Sequence, residues 1–432
     1  MKRCGWCAVF MTVSVWARFA AAQALEVNPP QVLEDEVAVV RATGLKPAQH
    51  VMIQAQLVDG DDHPWASQAE FVADANGVVD TSTQAPVKGS YRVVSAMGLV
   101  WSMMSGAKDA HVYRAQNELA PQTITFHLLV DGREAASSRL QQLAVSAGVH
   151  HVKVEGTLHG QYFGPDGEGK HAAVLVLGGS EGGTPVRRAA WLASHGYAAL
   201  ALCYFHCEGR PDQLQNIPLE YFGAALVWLT ERPEVDAKRL GVLGASRGGE
   251  LALQLGSMFP SLKAVVAYVP ANVRYPACCG IRPPQPSWTW HGQPLAFAAP
   301  WQHGNLEQEV HATIHVEQTQ GDVLMIAGED DGVWPSSGMV TKAAERLRSA
   351  HFAHTVVVLK YQHAGHRAGM PAIVPAWVHG MTHPVAGTPM DPGGTPEGNA
   401  ESSLDAIPKV LKFLNDSLGE KAPAAETTKP AR

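Results

Sequence analysis

A serine in a short glycine-rich turn is the residue of this chain best suited to act as a nucleophile. Ser246 lies at the centre of Gly244-Ala-Ser-Arg-Gly248, between the apolar run Leu240 to Leu243 and a helical pattern that begins near Gly249. Glycines are needed in such a turn because side chains there would collide with the strand and the helix. The turn strains the serine backbone and leaves its hydroxyl clear of the sheet. The pattern therefore predicts a nucleophile elbow at Ser246.

A serine nucleophile needs a general base and an acid that orients the base. In a parallel sheet these partners must follow later strands, at the same edge as the elbow. Acidic residues follow the apolar run 323–327, and two histidines follow the run 355–359. We predict Asp331 as the acid, since its distance from Gly328 leaves room for a returning turn, and His366 as the base. The order Ser, Asp, His is that of an α/β-hydrolase.

Other residues in these two loops are weaker candidates for the same roles. Glu329 and Asp330 are the alternatives for the acid, and His363 is the alternative for the base. Asp322 is disfavoured because it lies at the opposite end of its strand.

The oxyanion formed during acyl transfer requires two preorganised N–H donors. The amide of Arg247, directly after the nucleophile, is one candidate. The second donor is expected from the loop that follows the strand 172–177, where small residues allow close approach. We predict Gly179 or Ser180 for that role.

The elements that must position these residues alternate between strand and helix. Such alternation predicts an α/β fold with a doubly wound, mostly parallel sheet. The predicted strands are 172–177, 198–202, 240–243, 264–269, 323–327 and 355–359. One predicted helix ends at His195, and the others span 219–231, 338–348 and 404–418. A Pro- and Trp-rich stretch between Ala271 and Gln320 interrupts the pattern. A long insertion without regular structure is usually a lid or a binding loop.

The part of the chain before this sheet is predicted to be all-β. Short β-rich runs at 37–41, 51–58, 70–73 and 123–130 are separated by turn signals, a spacing typical of an immunoglobulin-like sandwich. Met97 to Met104 is an apolar cluster that belongs either to the sandwich core or to a surface facing the second domain. The predicted division is a signal peptide at 1–24, the sandwich at 25–150, the catalytic domain at 151–420 and a disordered tail at 421–432.

The first residues have the features of a cleavable secretory signal. Lys2 and Arg3 precede an apolar stretch that ends at Ala17, and small residues then offer cleavage after Ala22 or Ala24. The stretch is too short to span a membrane, and Arg18 interrupts it. We therefore predict an exported protein, periplasmic or secreted, with no membrane span after cleavage.

Composition excludes several kinds of partner. The net charge is −7 with no basic block, so nucleic acid is not expected. Cleavage of the signal would leave four cysteines, for which three full pairings are open: Cys203, Cys207, Cys278 and Cys279. The Cys203/Cys207 spacing would be tolerable for a zinc site, but the adjacent Cys278 and Cys279 would not, and the scattered histidines supply no matching second half, so we expect no metal and no cofactor. The sequence does not indicate an oligomeric state.

Several longer motifs are shared with one family. They are Tyr204-Phe-His-Cys-Glu-Gly-Arg-Pro211, Ile217-Pro-Leu-Glu-Tyr-Phe222, Gly244-Ala-Ser-Arg-Gly-Gly-Glu-Leu251, Ala271-Asn272, Gly328-Glu-Asp-Asp-Gly-Val-Trp-Pro-Ser336, Ala364-Gly-His366 and Gly393-Gly-Thr-Pro396, with Gly44-Leu-Lys-Pro47 and Met97-Gly-Leu-Val-Trp101 in the first part. Through them nearly the whole chain after the signal resembles the acyl-CoA thioesterases related to bile acid-CoA:amino acid N-acyltransferase.

That resemblance implies an α/β-hydrolase of fatty acid and acyl-CoA metabolism whose substrate is a small-molecule acyl thioester. It implies Ser246 as nucleophile, Asp331 as acid and His366 as base, in agreement with the choice made from the residues. The amidating branch of the family carries cysteine at the elbow, so Ser246 resembles the hydrolysing branch.

Two functional hypotheses other than a thioesterase also fit the sequence. One is an exported carboxylesterase that acts on oxygen esters, and the other is a surface binding protein with a vestigial hydrolase domain. Arg187, Arg188, Arg210 and Arg247 form either a cationic rim for an anionic substrate or an ordinary solvated surface.

Overall fold

The structure is a computed structural model of the chain, which describes residues 22–278, 281–298, 306–378 and 380–419. Most of the predicted signal segment and the predicted tail lie outside these ranges. No helix within them is long and apolar enough to cross a membrane.

The first part of the chain forms two β-sheets around one apolar core. Its elements are β1 (Ala24–Asn28), β2 (Gln31–Leu33), β3 (Val39–Thr43), β4 (His50–Val58), β5 (Pro64–Val72), β6 (Val79–Asp80), β7 (Lys88–Gly89), α1 (Gly98–Trp101), β8 (Met104–Ser105), β9 (Gln122–Val130) and β10 (Arg133–Leu143). One sheet has the order β1-β3-β6, and the other has the order β2-β10-β9-β4-β5-β7 with β8 beside β5.

Alternation of buried and exposed side chains explains why these segments form strands. In β4 and β5 every second residue is buried, so each strand presents one apolar face. Val40, Ile53 and Phe126, drawn from both sheets, pack in the same cluster. The predicted strand 70–73 is only the end of β5, and β10 was not predicted. The first half of β10 is polar and largely exposed, which gives little strand signal.

The apolar cluster Met97 to Met104 contains the four-residue helix α1, which the prediction of an all-β region did not include. Leu99, Val100 and Trp101 are buried in the core between the two sheets. The N–H of Ala376 donates to the carbonyl of Trp101 at 2.9 Å, so a segment from the C-terminal half covers this cluster. Both alternatives for the cluster therefore hold, since it is core and it also faces the second half.

The second part of the chain is a mixed sheet flanked by helices. Its elements are β11 (Val149–Val154), β12 (His159–Pro165), β13 (His171–Leu177), α2 (Val186–Ser194), β14 (Ala198–Cys203), β15 (Ile217–Pro218), α3 (Glu220–Thr230), β16 (Val235–Ala245), α4 (Arg247–Met258), β17 (Leu262–Tyr268), β18 (Trp288–Trp290), β19 (Gln293–Pro294), α5 (Leu306–Ala312), a short 3-10 helix (Val316–Gln318), β20 (Asp322–Gly328), α6 (Ser336–Ser349), β21 (Val356–Tyr361), β22 (Met381–Thr382), β23 (Pro389–Met390) and α7 (Pro396–Leu418).

The main sheet has eight strands in the order β11-β12-β14-β13-β16-β17-β20-β21. The strands from β14 to β21 are parallel, and the β11–β12 hairpin adds an antiparallel edge. The strands β13, β14 and β20 are almost continuously buried, because helices cover both faces. Helices α3, α4 and α6 pack on one face, and α2 and α7 pack on the other. The predicted doubly wound α/β sheet is confirmed.

The strand order reverses between β13 and β16, because β14 lies on one side of β13 while β17 and β20 follow on the other. Loops that leave neighbouring strands at such a reversal diverge and open a crevice. The loop after β13 holds Gly178 to Gly183, and the loop after β16 holds Ser246. The topology therefore places the predicted oxyanion loop beside the predicted nucleophile.

The insertion between Ala271 and Gln320 is not structureless. Strands β18 and β19 join β15 in a small three-stranded sheet. The buried indole of Trp288 donates to a carboxylate oxygen of Glu250 in α4 at 2.9 Å. The described part of the insertion therefore contains regular structure and is attached to helix α4.

Among the described residues, Cys203 and Cys207 form a disulfide with each other, and Cys278 is also disulfide-bonded. Cys203 and Cys207 are bonded, with their Cα atoms 6.6 Å apart. The turn that this pairing requires contains His206 at a φ of 55°. The bond closes the loop that follows β14.

Candidate active site

The backbone around Ser246 has the geometry of a nucleophile elbow. Ser246 has a φ of 58° and a ψ of −120°, a conformation that L-residues rarely adopt. A Cβ at Gly244 would lie 2.0 Å from the carbonyl oxygen of Gly248, and one at Gly248 would lie 2.2 Å from that of Gly178. Both glycines are therefore required by close backbone contacts, as the sequence predicted.

Ser246, His366 and Asp331 lie in one chain of hydrogen bonds. Ser246 Oγ is 2.8 Å from His366 Nε2, and His366 Nδ1 is 3.0 and 2.9 Å from the two carboxylate oxygens of Asp331. An ionised carboxylate only accepts, so the imidazole proton lies on Nδ1 and the Nε2 lone pair faces the serine hydroxyl. The side chains of His366 and Asp331 are 12% and 1% exposed. This arrangement can remove a proton from Ser246.

The turn after β20 fixes Asp331. One of its oxygens accepts hydrogen bonds from the N–H groups of Val333 and Trp334 at 2.9 and 3.2 Å. These bonds stabilise the carboxylate and point it toward His366.

The alternative acids and base lie elsewhere. Asp330 is 3.4 Å from His363 in an exposed pair, and Glu329 is 3.6 Å from Lys360. Asp322, at the amino end of β20, accepts hydrogen bonds from Thr355 and Ser417. None of these residues takes part in the hydrogen-bonded chain at Ser246.

A segment just before α7 holds the acid and base loops together. The carbonyl of Pro392 accepts hydrogen bonds from the N–H of Gly332 at 3.1 Å and from that of His366 at 2.7 Å. Bridges also join Asp331 to Gly393 and Ala364 to Gly394. The motif Gly393-Gly-Thr-Pro396 therefore sets the register between the two loops, a role that its sequence alone does not reveal.

The predicted oxyanion donors surround Ser246, and one of them is engaged. Arg247 is the first residue of α4, where an N–H has no acceptor in a preceding turn. A Cβ at Gly179 would lie 3.1 Å from the Cβ of Ser246, so this glycine is adjacent to the nucleophile. The N–H of Gly179 donates to the Glu181 carboxylate at 3.0 Å. Glu181 therefore occupies one of the N–H groups predicted as oxyanion donors.

Ser180 pairs with a second histidine of the site. The hydroxyl oxygen of Ser180 is 2.9 Å from Nε2 of His383. Nδ1 of His383 accepts hydrogen bonds from the N–H groups of Val385 and Ala386, so Nε2 carries the ring proton. Burial lowers the pKa of His383, and the negative charge of Glu181 partly opposes that shift. His383 therefore orients Ser180 as a neutral donor.

Ser246 and His366 open into a cavity of about 610 Å³ between the two parts of the chain. Its wall combines the β13 loop and α2 with residues 33–35, 112–115 and 143–144 from the first part. Segments 370–372 and 381–384 complete the wall. The described residues of the insertion 271–320 do not line the cavity, so the predicted lid over the site is wrong for them.

The contacts of Arg247 explain why the described part of the insertion lies outside the cavity wall. Its guanidinium donates to the carbonyls of Tyr275 and Pro276 and to the hydroxyl of Ser287, each within 3.0 Å. These bonds tie the insertion to the start of α4, and none of the residues that form them lines the cavity.

The four arginines proposed for a cationic rim have different environments. Arg187 and Arg188 line the cavity, and Arg187 is ion-paired with Glu34. Arg210 stacks on the ring of Tyr221 at 3.9 Å, and the side chain of Arg247 is buried. Neither alternative, a cationic rim or a solvated surface, therefore holds for all four, since Arg187 and Arg188 line the cavity and Arg247 is buried.

Sequence reasoning missed several residues of this site. Trp334 packs its ring edge-on to His366 with centroids 5.4 Å apart, and it follows Asp331 closely enough to have been considered. Glu181 and His383 gave no signal, because isolated polar residues in loops are common. Across the described ranges, no group of three or more His, Cys, Asp and Glu side chains could hold a metal ion.

Comparisons with known proteins are consistent with this geometry. A model described as acyl-CoA thioester hydrolase/BAAT N-terminal region matches residues 35–156. A second, described as BAAT/acyl-CoA thioester hydrolase C terminal, matches residues 217–280 and 289–420. The matched ranges include Ser246, Asp331 and His366.

Curated relatives extend over nearly the same length. Acyl-coenzyme A amino acid N-acyltransferase 1 of Mus musculus is 31% identical over 412 residues, which cover 90% of this chain and 97% of the relative. Acyl-coenzyme A thioesterase 6 of Mus musculus is 28% identical over 404 residues, which cover 90% and 95%. Among solved structures, a Mycobacterium tuberculosis puromycin-hydrolyzing peptidase is 15% identical with a TM-score of 0.44, over 88% of this chain and 54% of that one.

Proposed function

Since this chain belongs to the acyl-CoA thioester hydrolase/BAAT family, we propose that it hydrolyses acyl thioesters through an acyl-enzyme on Ser246. The observation that carries the proposal is the continuous set of hydrogen bonds from Ser246 Oγ through His366 to Asp331. These groups open into a cavity large enough for a small-molecule substrate.

The first step forms the acyl-enzyme. Ser246 Oγ attacks the thioester carbonyl carbon while its proton passes to Nε2 of His366. Asp331 stabilises the resulting imidazolium through the hydrogen bond at Nδ1. Collapse of the tetrahedral intermediate breaks the carbon–sulfur bond, and the imidazolium proton neutralises the departing thiolate.

The second step releases the acid. Neutral His366 removes a proton from water, and the hydroxide attacks the ester carbonyl on Ser246. The ester bond breaks, the proton returns to Ser246 Oγ, and the carboxylic acid leaves. Both tetrahedral intermediates require oxyanion donors, which we assign to the N–H of Arg247 together with the N–H of Gly179 or Ser180. With Gly179 as the donor, the Glu181 carboxylate must first move away.

Acyl-CoA is the substrate proposed from the relatives, which are named as acyl-coenzyme A thioesterases and acyl-coenzyme A amino acid N-acyltransferases. Hydrolysis rather than transfer to an amine is favoured by Ser246, since the resemblance implies a cysteine at the elbow of the amidating branch.

Export to the periplasm or the medium is a further part of the proposal. The predicted signal peptide motivates it, and the Cys203–Cys207 disulfide supports it because such bonds persist in oxidising compartments. Outside the cytoplasm an oxygen ester becomes a second candidate substrate for the same residues. N-terminal sequencing of the mature protein tests export, and an intact N-terminus would contradict it.

The first two sheets are proposed to form an immunoglobulin-like sandwich that acts as a wall of the site. Their residues 33–35 and 112–115 line the cavity. A purely binding role for the chain is disfavoured, because it gives no reason for a serine, a histidine and an aspartate to be hydrogen-bonded in series.

A substrate panel tests the function. The protein would be assayed with acyl-CoA, acyl-pantetheine and simple oxygen esters, with and without glycine as an amine acceptor. We expect free acid from thioesters, and a loss of roughly 10³-fold or more in Ser246→Ala. Activity confined to oxygen esters would refute the thioesterase assignment, and N-acylglycine as the main product would refute hydrolysis. If wild type takes up no fluorophosphonate and Ser246→Ala changes nothing, the catalytic reading is wrong.

A further inference from the structure

Two arginines in the cavity wall have no acidic partner among the residues that the structure describes. The arginines of the cavity wall are Arg114, Arg187, Arg188 and Arg367. Arg114 is 3.3 Å from Asp61, and Arg187 is ion-paired with Glu34. Within the described ranges, neither Arg188 nor Arg367 forms an ion pair, and the one hydrogen bond of the Arg188 guanidinium goes to Met370 Sδ at 3.8 Å. Half of the cationic groups of the wall are therefore uncompensated.

The two uncompensated groups line the same cavity, lie near enough for the charge of Arg188 to act on Arg367, and are both partly buried. Burial lowers the pKa of Arg367, and the positive charge of Arg188 lowers it further. Bringing two guanidinium groups together away from water is unfavourable unless an anion joins them. The nearby hydroxyl of Tyr268 is buried and also has no hydrogen-bond partner among the described residues. The region thus offers donors in excess of acceptors.

The carboxylates of the cavity wall do not form ion pairs with Arg188 or Arg367. Glu34 is engaged by Arg187, and Asp35 accepts from the side chains of Trp191 and His195. Glu181 accepts from the N–H of Gly179. Glu118 lies on the wall formed by the first part of the chain, and partial burial raises the pKa of its carboxyl group. Among the described residues, no carboxylate of the wall is therefore paired with the two arginines, and an anionic group of a ligand can supply the opposite charge.

We propose that Arg188 and Arg367 bind a carboxylate at the end of the acyl chain remote from the thioester, so that the preferred substrates are thioesters of dicarboxylic acids. This inference rests on the proposed thioesterase function. Arg367 directly follows the proposed base His366, and both residues line the cavity that contains Ser246. An anion between the two arginines is therefore in the same cavity as the reacting carbonyl.

The environment of the pair favours the acyl group over the leaving group. Apolar side chains of Met370, Trp191 and Val374 share the wall with the arginines, which suits a hydrocarbon chain with a charged end. The planar forks of two guanidinium groups match one carboxylate. The several phosphates of CoA would need more cations, but the other two arginines of the wall are already paired.

The experiment compares matched pairs of thioesters. Rates with adipoyl and hexanoyl groups, each as the CoA and the N-acetylcysteamine thioester, give a preference ratio in kcat/KM for each leaving group. Wild type is expected to prefer adipoyl by about tenfold or more with both leaving groups. That ratio should fall to near one in Arg188→Met and in Arg367→Met. Arg348→Met, on the exposed side of α6, is the matched control and should keep the wild-type ratio.

Each outcome decides the proposal. The ratio is taken within one variant, so partial loss of folded protein cancels. Absence of an adipoyl preference in wild type would overturn the proposal. The proposal would also be overturned if the arginine variants lost activity with the CoA thioesters of both acyl groups and kept it with the N-acetylcysteamine thioesters. That result would mean that the arginines bind a phosphate of CoA.

A binding measurement separates this proposal from the proposed function. Calorimetric titration of Ser246→Ala with adipate and with hexanoate needs no turnover. Adipate should bind about tenfold or more tightly than hexanoate, and Arg367→Met in the same background should abolish the difference. If no thioester is hydrolysed but adipate still binds selectively, the function fails and the subsite stands. Equal binding of the two acids would refute the subsite.

Discussion

At the scale of single residues, Ser246, Asp331 and His366 could be predicted because each follows a predicted strand at the edge where parallel strands end. The choice of Asp331 over Asp330 depended on the room needed for a turn, and the turn indeed directs Asp331 inward while Asp330 pairs with His363 on the surface. The hydrogen bond between Glu181 and the N–H of Gly179 could not be predicted, because it depends on the conformation of one side chain in a loop.

Replacing Asp331 by asparagine tests the assigned acid. Asparagine keeps the size but removes the negative charge and can offer an N–H to Nδ1, which favours the wrong histidine tautomer. We expect kcat for thioester hydrolysis to fall by roughly 10³- to 10⁴-fold. Asp330→Asn, an exposed neighbour with the same change, should remain near wild type. Equal losses in the two variants would remove Asp331 from the mechanism.

Replacing Glu181 by alanine tests whether its carboxylate competes for the oxyanion site. The change frees the N–H of Gly179 and removes a negative charge that would repel a developing oxyanion. We expect kcat/KM to rise by about threefold or more, measured under pseudo-first-order conditions. A fall of similar size would mean that Glu181 assists the reaction rather than obstructing it.

At the scale of elements, the parallel strands were predictable because continuous apolar runs are typical of sheets covered on both faces. The insertion between Ala271 and Gln320 was not, because its order depends on long-range contacts. Arg247 and Glu250 of α4 bind Tyr275, Ser287 and Trp288 of the insertion. These polar contacts are buried, and no local sequence pattern predicts them.

Glu250→Ala tests that attachment. Glu250 is fully buried, accepts from Trp288 Nε1 at 2.9 Å and lies 3.3 Å from the Arg247 guanidinium. Its removal leaves a buried cation without its counter-charge, so the free energy of unfolding should fall by about 3 kcal/mol. Denaturant titration measures the change, and Glu345→Ala on the surface of α6 is the control. A loss no larger than that of the control would show that the carboxylate does not hold the insertion.

At the scale of the whole molecule, the cavity lies between two parts of the chain that have different sequence patterns. Periodicity describes each part but not how they meet. Asp35 of the first part accepts hydrogen bonds from Trp191 Nε1 and His195 Nε2 of the second, at 2.9 and 2.8 Å. Residues 33–35 line the cavity. The shape of the site therefore depends on this contact.

Asp35→Ala tests whether the contact shapes the cavity. The change leaves the buried N–H of Trp191 without an acceptor, which should cost about 1–3 kcal/mol of stability. Because the wall of the cavity loosens, KM for the thioester should rise while kcat changes less. Thermal unfolding and steady-state kinetics measure both effects. Glu26→Ala, on the exposed face of β1, is the control for a lost carboxylate in the first part. An unchanged KM would show that the contact stabilises the fold without shaping the site.

The central claim is that the acyl group passes through Ser246. Rapid acid quenching of the protein with an acyl-pantetheine thioester, followed by peptide mapping by mass spectrometry, tests it most directly. We predict that the acyl mass is found on Ser246 and is absent from Ser246→Ala. Product formation with the acyl group on another residue, or undiminished turnover in Ser246→Ala, would contradict it.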